Sequence, residues 1–127
     1  MSPHTLTPQG VRQHVQPGIA GFYRLGTIVN GEFFTYYFGR SDEDLRQRLL
    51  RHASNGFYTH FTAREAEDVQ DAFEMECLDW HLQGDQTTNK VHPAQPKGSD
   101  LECPYCSYNE QITEINTANN GIYTNVR

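Results

Sequence analysis

The sequence predicts a small α/β domain, with a three-stranded, mostly antiparallel sheet flanked by helices. Three observations carry this reading. Two runs rich in aromatic and β-branched residues, Gly21–Val29 and Glu32–Arg40, are joined by Asn30-Gly31, the strongest short hairpin signal. A helix-start pattern, Ser41-Asp42-Glu43-Asp44, follows at once. Further on, Val69, Ala72, Phe73, Cys77 and Trp80 recur at helical spacing, the stripe of an amphipathic helix.

Residues 1–17 are polar and punctuated by Pro3, Pro8 and Pro17, and read as an extended or poorly ordered arm. The hairpin comes next. Ser41 to Asp44 match a capping box, with Ser41 placed to accept the free amides of the first turn and three acids complementing the helix dipole. Leu45, Leu49 and His52 continue at helical spacing, and Asn55-Gly56 supplies a left-handed stop. Phe57, Thr59 and Phe61 alternate with polar residues and predict a short third strand. Thr62-Ala63-Arg64-Glu65 is a second capping box, opening the long helix that Gly84 ends. After Asn89 the chain reads as loop. Residues 107–127 are polar and Asn/Thr-rich, with room for one short strand or helix. The expected organisation is an arm over 1–17, a domain over 18–96, and a tail over 97–127 packed on that domain.

A chain of 127 residues is long enough for one core, and its seven Phe and seven Tyr argue for order rather than disorder. No apolar run is long enough to span a bilayer. The start lacks a basic, apolar leader, and three cysteines do not make a disulfide framework; a reducing cytoplasm is the expected compartment. The net charge of −6 argues mildly against a nucleic-acid partner. Its distribution leaves a polyanion partner open. Residues 45–64 hold Arg46, Arg48, Arg51, Arg64, His52 and His60 with no acid, whereas 65–85 hold eight acids with no Lys or Arg. A local basic face can meet a polyanion, although two ordinary solvated helix faces would look the same.

Gly21-Phe22-Tyr23 opens the first strand, and Tyr37-Phe38-Gly39 closes the second after thirteen intervening residues. Arg48 follows in the next helix, His52 lies one turn on, Ala72-Phe73-Glu74-Met75-Glu76 sits in the long helix, and Asn89 comes thirteen residues after Glu76. This order resembles the GIY-YIG nuclease family over residues 20–92, with Phe in the middle place of both motifs and one extra residue before Arg48. The resemblance implies the small GIY-YIG α/β fold and hydrolysis of DNA phosphodiester bonds with one divalent cation, Mg²⁺ or Mn²⁺.

It also implies roles. Glu76 is the carboxylate that would bind the metal. Its neighbours Ala72 and Trp80, at i−4 and i+4, put it near the core-facing stripe, about 160° around the helix from Glu74. Arg48 would contact the scissile phosphate, for which a fixed, forked charge is suited. His52 shares a face with Arg48 and could shuttle a proton or orient Tyr23 or water. Tyr23 is the proposed general base and Tyr37 a second hydroxyl; a phenol is a useful base only beside cationic charge. Arg40, Arg46 and Arg51 are candidates for holding flanking phosphates. Gly39 and Asn89 are read as structural, Asn89 by tying a loop with its side-chain amide.

The hairpin contains a test of this reading. A regular two-residue turn would put Tyr23 opposite Phe38, with Tyr37 on the other face. One site for both tyrosines requires a shifted register, from a three-residue loop or a bulge with Gly26 as the obvious place.

Cys103-Pro104-Tyr105-Cys106 is half of a tetrahedral zinc site. His92, His81 and Cys77 are the candidates for the other half, and a pair of free thiols is an equal alternative. The reading is thus a metal-dependent endonuclease acting on DNA, in which a homodimer or a partner chain would supply specificity. The rival readings are a catalytically inactive DNA- or protein-binding module derived from such a nuclease, and a zinc-knuckle adaptor.

Overall fold

The structure, a computed structural model, describes residues 1–106. The strand or helix expected within 107–127 lies outside the described residues. The element order is β1 (His4–Thr5), α1 (Pro8–His14), β2 (Gly21–Val29), β3 (Glu32–Ser41), α2 (Leu45–Asn55), β4 (His60–Glu65) and α3 (Val69–Gln83), ending in a 3₁₀ turn at Gly84–Gln86. The sheet is antiparallel throughout and has four strands, in the order β1-β4-β2-β3. Among the described residues no helix is long and apolar enough to cross a membrane.

The extra strand and helix correct the expected arm. Thr7 caps α1 by accepting from the Gly10 amide at 3.0 Å, and Pro8 fills the first helical position, where its missing N–H costs nothing. Leu6, Val11 and Val15 are then buried in the main core. Two further corrections concern caps. Asp44, not Ser41, caps α2 by accepting from the Gln47 amide, while Ser41 accepts from the amides of Glu43 and Asp44 just before it. The Thr62–Glu65 box opens no helix. Those residues belong to β4, where Gly21 pairs with Glu65, and Asp68 caps α3 instead. Strand β4 also starts later than the alternation suggested, leaving Phe57 exposed.

Asn30 and Gly31 both have positive φ, 52° and 80°, as a type I′ hairpin turn requires. The register runs Ile28↔Phe33 and Gly26↔Thr35 near the turn, then Leu25↔Tyr37 and Tyr23↔Gly39 beyond it. One extra residue, Tyr36, is therefore bulged between Leu25 and Gly26. A Cβ on Gly26 would sit 1.7 Å from the Phe34 carbonyl oxygen, so only glycine fits. The bulge turns Tyr23, Leu25 and Tyr37 to one face, as a shared tyrosine site requires.

That face packs on α1 and α2. Tyr23, Leu25, Phe61, Leu45, Leu49, Leu6, Val11 and Val15 form its buried core. The other face carries Phe22, Arg24, Phe38 and Arg40 and receives α3. There Arg24 makes a two-pronged pair with the buried Asp79, both contacts 2.7 Å, and the Arg40 guanidinium stacks over Phe73 at 5.0 Å. The free edge of β3 is covered by residues 88–89. The Thr88 amide donates to the Tyr36 carbonyl at 2.8 Å. The Asn89 side chain accepts from the Phe38 amide at 3.0 Å and donates to its carbonyl at 2.8 Å.

Candidate functional site

The C-terminal end of β3 opens into a polar cleft of about 630 Å³. Strand β3 supplies Arg40 and Ser41, the following turn Asp42 and Glu43, α2 Arg48, α3 Glu76, and the loop beyond Asn89 supplies Ala94, Pro96 and Lys97. Three cationic side chains and three carboxylates thus line one opening.

Arg40 organises it. Its Nη1 donates to Glu76 Oε1 at 2.6 Å, its Nε to Asp42 Oδ1 at 2.8 Å, and its Nη2 to the Ala94 carbonyl at 2.7 Å. Burial works against the Arg40 charge, but Asp42 and Glu76 outweigh it and hold the guanidinium protonated more firmly than usual. Burial raises the Glu76 carboxyl above its usual range, against the opposing pull of Arg40. Glu76 faces the cleft; Glu74 is bonded to Gln70 on the same helix and does not line it.

Behind the cleft lies an aromatic group. Tyr23 Oη is 2.9 Å from His52 Nε2. The Tyr37 ring is 6.3 Å from that of Tyr23 and 5.7 Å from His52. Gly39 permits this packing, since a Cβ there would lie 2.6 Å from Tyr23 Oη. Tyr23 is fully buried, and burial, reinforced by Tyr37, pushes its phenol far above the ordinary value; Arg48 opposes this by charge and by a hydrogen bond, and the Glu76 charge adds to it. His52 is lowered, by burial first and by the Arg48 charge second. At neutral pH the imidazole is uncharged, and the tautomer it adopts sets which partner donates in the Tyr23–His52 bond.

The structure therefore brings Tyr23, Tyr37, His52, Arg48, Arg40 and Glu76 to one end of the sheet. It does not bring Arg46 or Arg51 to the cleft lining. Arg46 donates from Nε to the Val15 carbonyl at 2.7 Å and from Nη2 to the Arg12 carbonyl at 2.6 Å; it ties α1 to α2. Asp42, Lys97 and the Ala94 carbonyl were not singled out from sequence. Asp42 lies two residues after Arg40 and in sequence looks only like part of a cap.

A second cluster lies at the other end of α3. Single donor atoms of His81, His92, Cys103 and Cys106 all lie within 4.8 Å of one another. His81 Nε2 is 3.4 Å from both sulfurs, and His92 Nε2 is 3.3 Å from Cys106 Sγ. A tetrahedral ion with Zn–S of about 2.3 Å and Zn–N of about 2.0 Å sets sulfur and nitrogen about 3.5 Å apart. His92 Nδ1 bonds the Pro93 carbonyl at 2.9 Å, so Nε2 carries the lone pair a metal needs. Two imidazoles and two thiols can hold a borderline-soft ion such as zinc. Cys77, the third candidate ligand from sequence, is outside the group. It is fully buried, and burial, with Cys103 adjacent, pushes its thiol well up.

No family model, curated protein or solved structure matches the chain.

Proposed function

We propose that the protein is an endonuclease that hydrolyses DNA phosphodiester bonds at the Arg40–Arg48–Glu76 cleft, as the resemblance to GIY-YIG nucleases implies. The observation that carries this reading is the bulge of Tyr36 opposite Leu25 and Gly26, which puts Tyr23 and Tyr37 on one face beside His52 and Arg48. Glu76, Asp42 and Glu43 line the cleft, and Mg²⁺ needs only one or two carboxylates beside phosphate and water. Bound by Glu76, Mg²⁺ or Mn²⁺ would supply Lewis-acid stabilisation of charge on the phosphate.

The chain's own residues do the rest. Arg48 lines the opening, its charge acts on the Tyr23 hydroxyl behind it, and it would contact the phosphate. Water gives a proton to the Tyr23 oxygen while the Tyr23 proton passes to His52 Nε2. The water oxygen bonds to phosphorus, one P–O ester bond breaks, and the leaving oxygen takes a proton from solvent. This assigns the base role to the Tyr23–His52 couple rather than to Tyr23 alone, because a phenol raised so far is not ionised at neutral pH. The four-residue cluster at the far end of α3 binds zinc as a closed, structural site.

The Arg40–Glu76 pair favours a second reading. A carboxylate already held at 2.6 Å by a half-buried guanidinium suits a module that binds DNA or protein without cutting. Incubation with duplex, branched and single-stranded DNA in Mg²⁺ or Mn²⁺ separates the two: cleavage of any substrate supports the nuclease, and metal-independent binding without cleavage supports the module.

A further inference from the structure

The two sites are joined by one segment. His92 and Cys103 are both members of the His/Cys cluster, and the chain between them builds a wall of the cleft with Ala94, Pro96 and Lys97. This segment contains no helix or strand. Its internal bonds are short-range: the Ser99 amide and hydroxyl donate to the Pro96 carbonyl at 3.1 and 2.8 Å, and the Gln95 side chain donates to the Leu101 carbonyl at 2.9 Å. Its polar link to the sheet is the bond from Arg40 Nη2 to the Ala94 carbonyl, two residues from His92.

We infer that the His81–His92–Cys103–Cys106 centre, when it holds Zn²⁺, positions the cleft wall and thereby aims Arg40 at Glu76. This rests on the zinc reading above but not on nuclease activity. Closing a loop at both ends removes most of the freedom that would otherwise oppose its ordering. With the ends fixed, Ala94 presents its carbonyl to Nη2, and the guanidinium keeps Nη1 for Glu76 and Nε for Asp42. With the ends released, one of three anchors on Arg40 is lost. The planar fork then rotates, and the spacing of the cleft's charges changes with it. His92 and Cys103 are in this sense positioning residues for the cleft, without touching anything bound in it.

The test is arginine labelling of the full chain with phenylglyoxal, read residue by residue by mass spectrometry, on protein of measured zinc content. One zinc per chain is expected, with Arg40 protected in the loaded protein. Removal of zinc by chelation should speed Arg40 labelling about tenfold, the factor equivalent to about 1.4 kcal/mol, without changing Arg24 and Arg46, which are anchored elsewhere. Because stripped protein can unfold as a whole, a second variant carries two glycines inserted between Pro93 and Ala94. It keeps all four ligands and cuts the tether, so it should retain zinc and still label fast at Arg40. Absence of zinc from the wild type overturns the zinc reading and the inference with it. Zinc retained with Arg40 still protected in the insertion variant overturns the inference alone.

Discussion

Asn89→Ala isolates one device that joins the sheet to the functional loop. The Asn89 amide makes two bonds to a single residue, accepting from the Phe38 N–H at 3.0 Å and donating to the Phe38 carbonyl at 2.8 Å. Phe38 is fully buried and lies on the outer strand, so no further strand satisfies these groups. Two hydrogen bonds at about 1 kcal/mol each give about 2 kcal/mol, and stranding one buried backbone group adds about 1–3 kcal/mol. The expected loss is about 3–5 kcal/mol, or about 1.5–2.5 M in urea midpoint at a slope near 2 kcal/mol/M. Trp80, the single tryptophan, stands beside His81 and His92 and reports unfolding by fluorescence. Asn89→Asp sharpens the test. It keeps the shape and the acceptor but faces the Phe38 carbonyl with a carboxylate. Its folded-state pKa should rise, so its penalty is present at pH 7 and shrinks as the pH falls and the carboxyl becomes a donor. A loss below about 0.5 kcal/mol for Asn89→Ala, the size of an ordinary surface change, would refute the reasoning.

Other substitutions probe the aromatic group. Gly39→Ala should destabilise by about 1–3 kcal/mol, typical of overpacking, because its Cβ would fall 2.6 Å from the hydroxyl of a fully buried tyrosine; urea unfolding checks this, and unchanged stability would contradict the packing. The His52 shift sets a pH dependence. Its folded-state pKa lies below 6.5, so its neutral form contributes stability that is fully present above pH 6.5 and lost as the pH falls through the lowered value. Cleavage should show an acid limb below pH 6.5 in wild type, and His52→Gln should lack that limb; a limb that persists would remove His52 from the proton path.

The hairpin and its irregularity were legible in sequence for a physical reason. Asn30-Gly31 fixes the turn, and two tyrosines required on one face cannot be reconciled with a regular register unless a residue such as Gly26 absorbs a bulge. The α1 segment carries little sequence signal. Its apolar signal is Val11 within it and Val15 just past its end, and the Thr7-Pro8 start is hidden among polar residues. The Thr62–Glu65 box misled because a capping pattern says nothing about pairing, and β2 claims those residues as a strand. Cys103 and Cys106 announce half a metal site. The choice of His81 and His92 over Cys77 is tertiary, since a helix end and a loop meet there while Cys77 points into the core. Arg40 and Arg46 looked alike in sequence. Folding places one among carboxylates and the other against carbonyls.

The measurement closest to the central claim is the initial rate of nicking of supercoiled plasmid by the full chain in Mn²⁺ or Mg²⁺, beside Glu76→Ala and Arg48→Ala. Metal-dependent nicking by wild type is expected, with a fall of about a hundredfold or more in each variant, the scale of losing one transition-state charge contact. Undiminished nicking by Glu76→Ala, or no nicking by folded wild type in either metal, would contradict it.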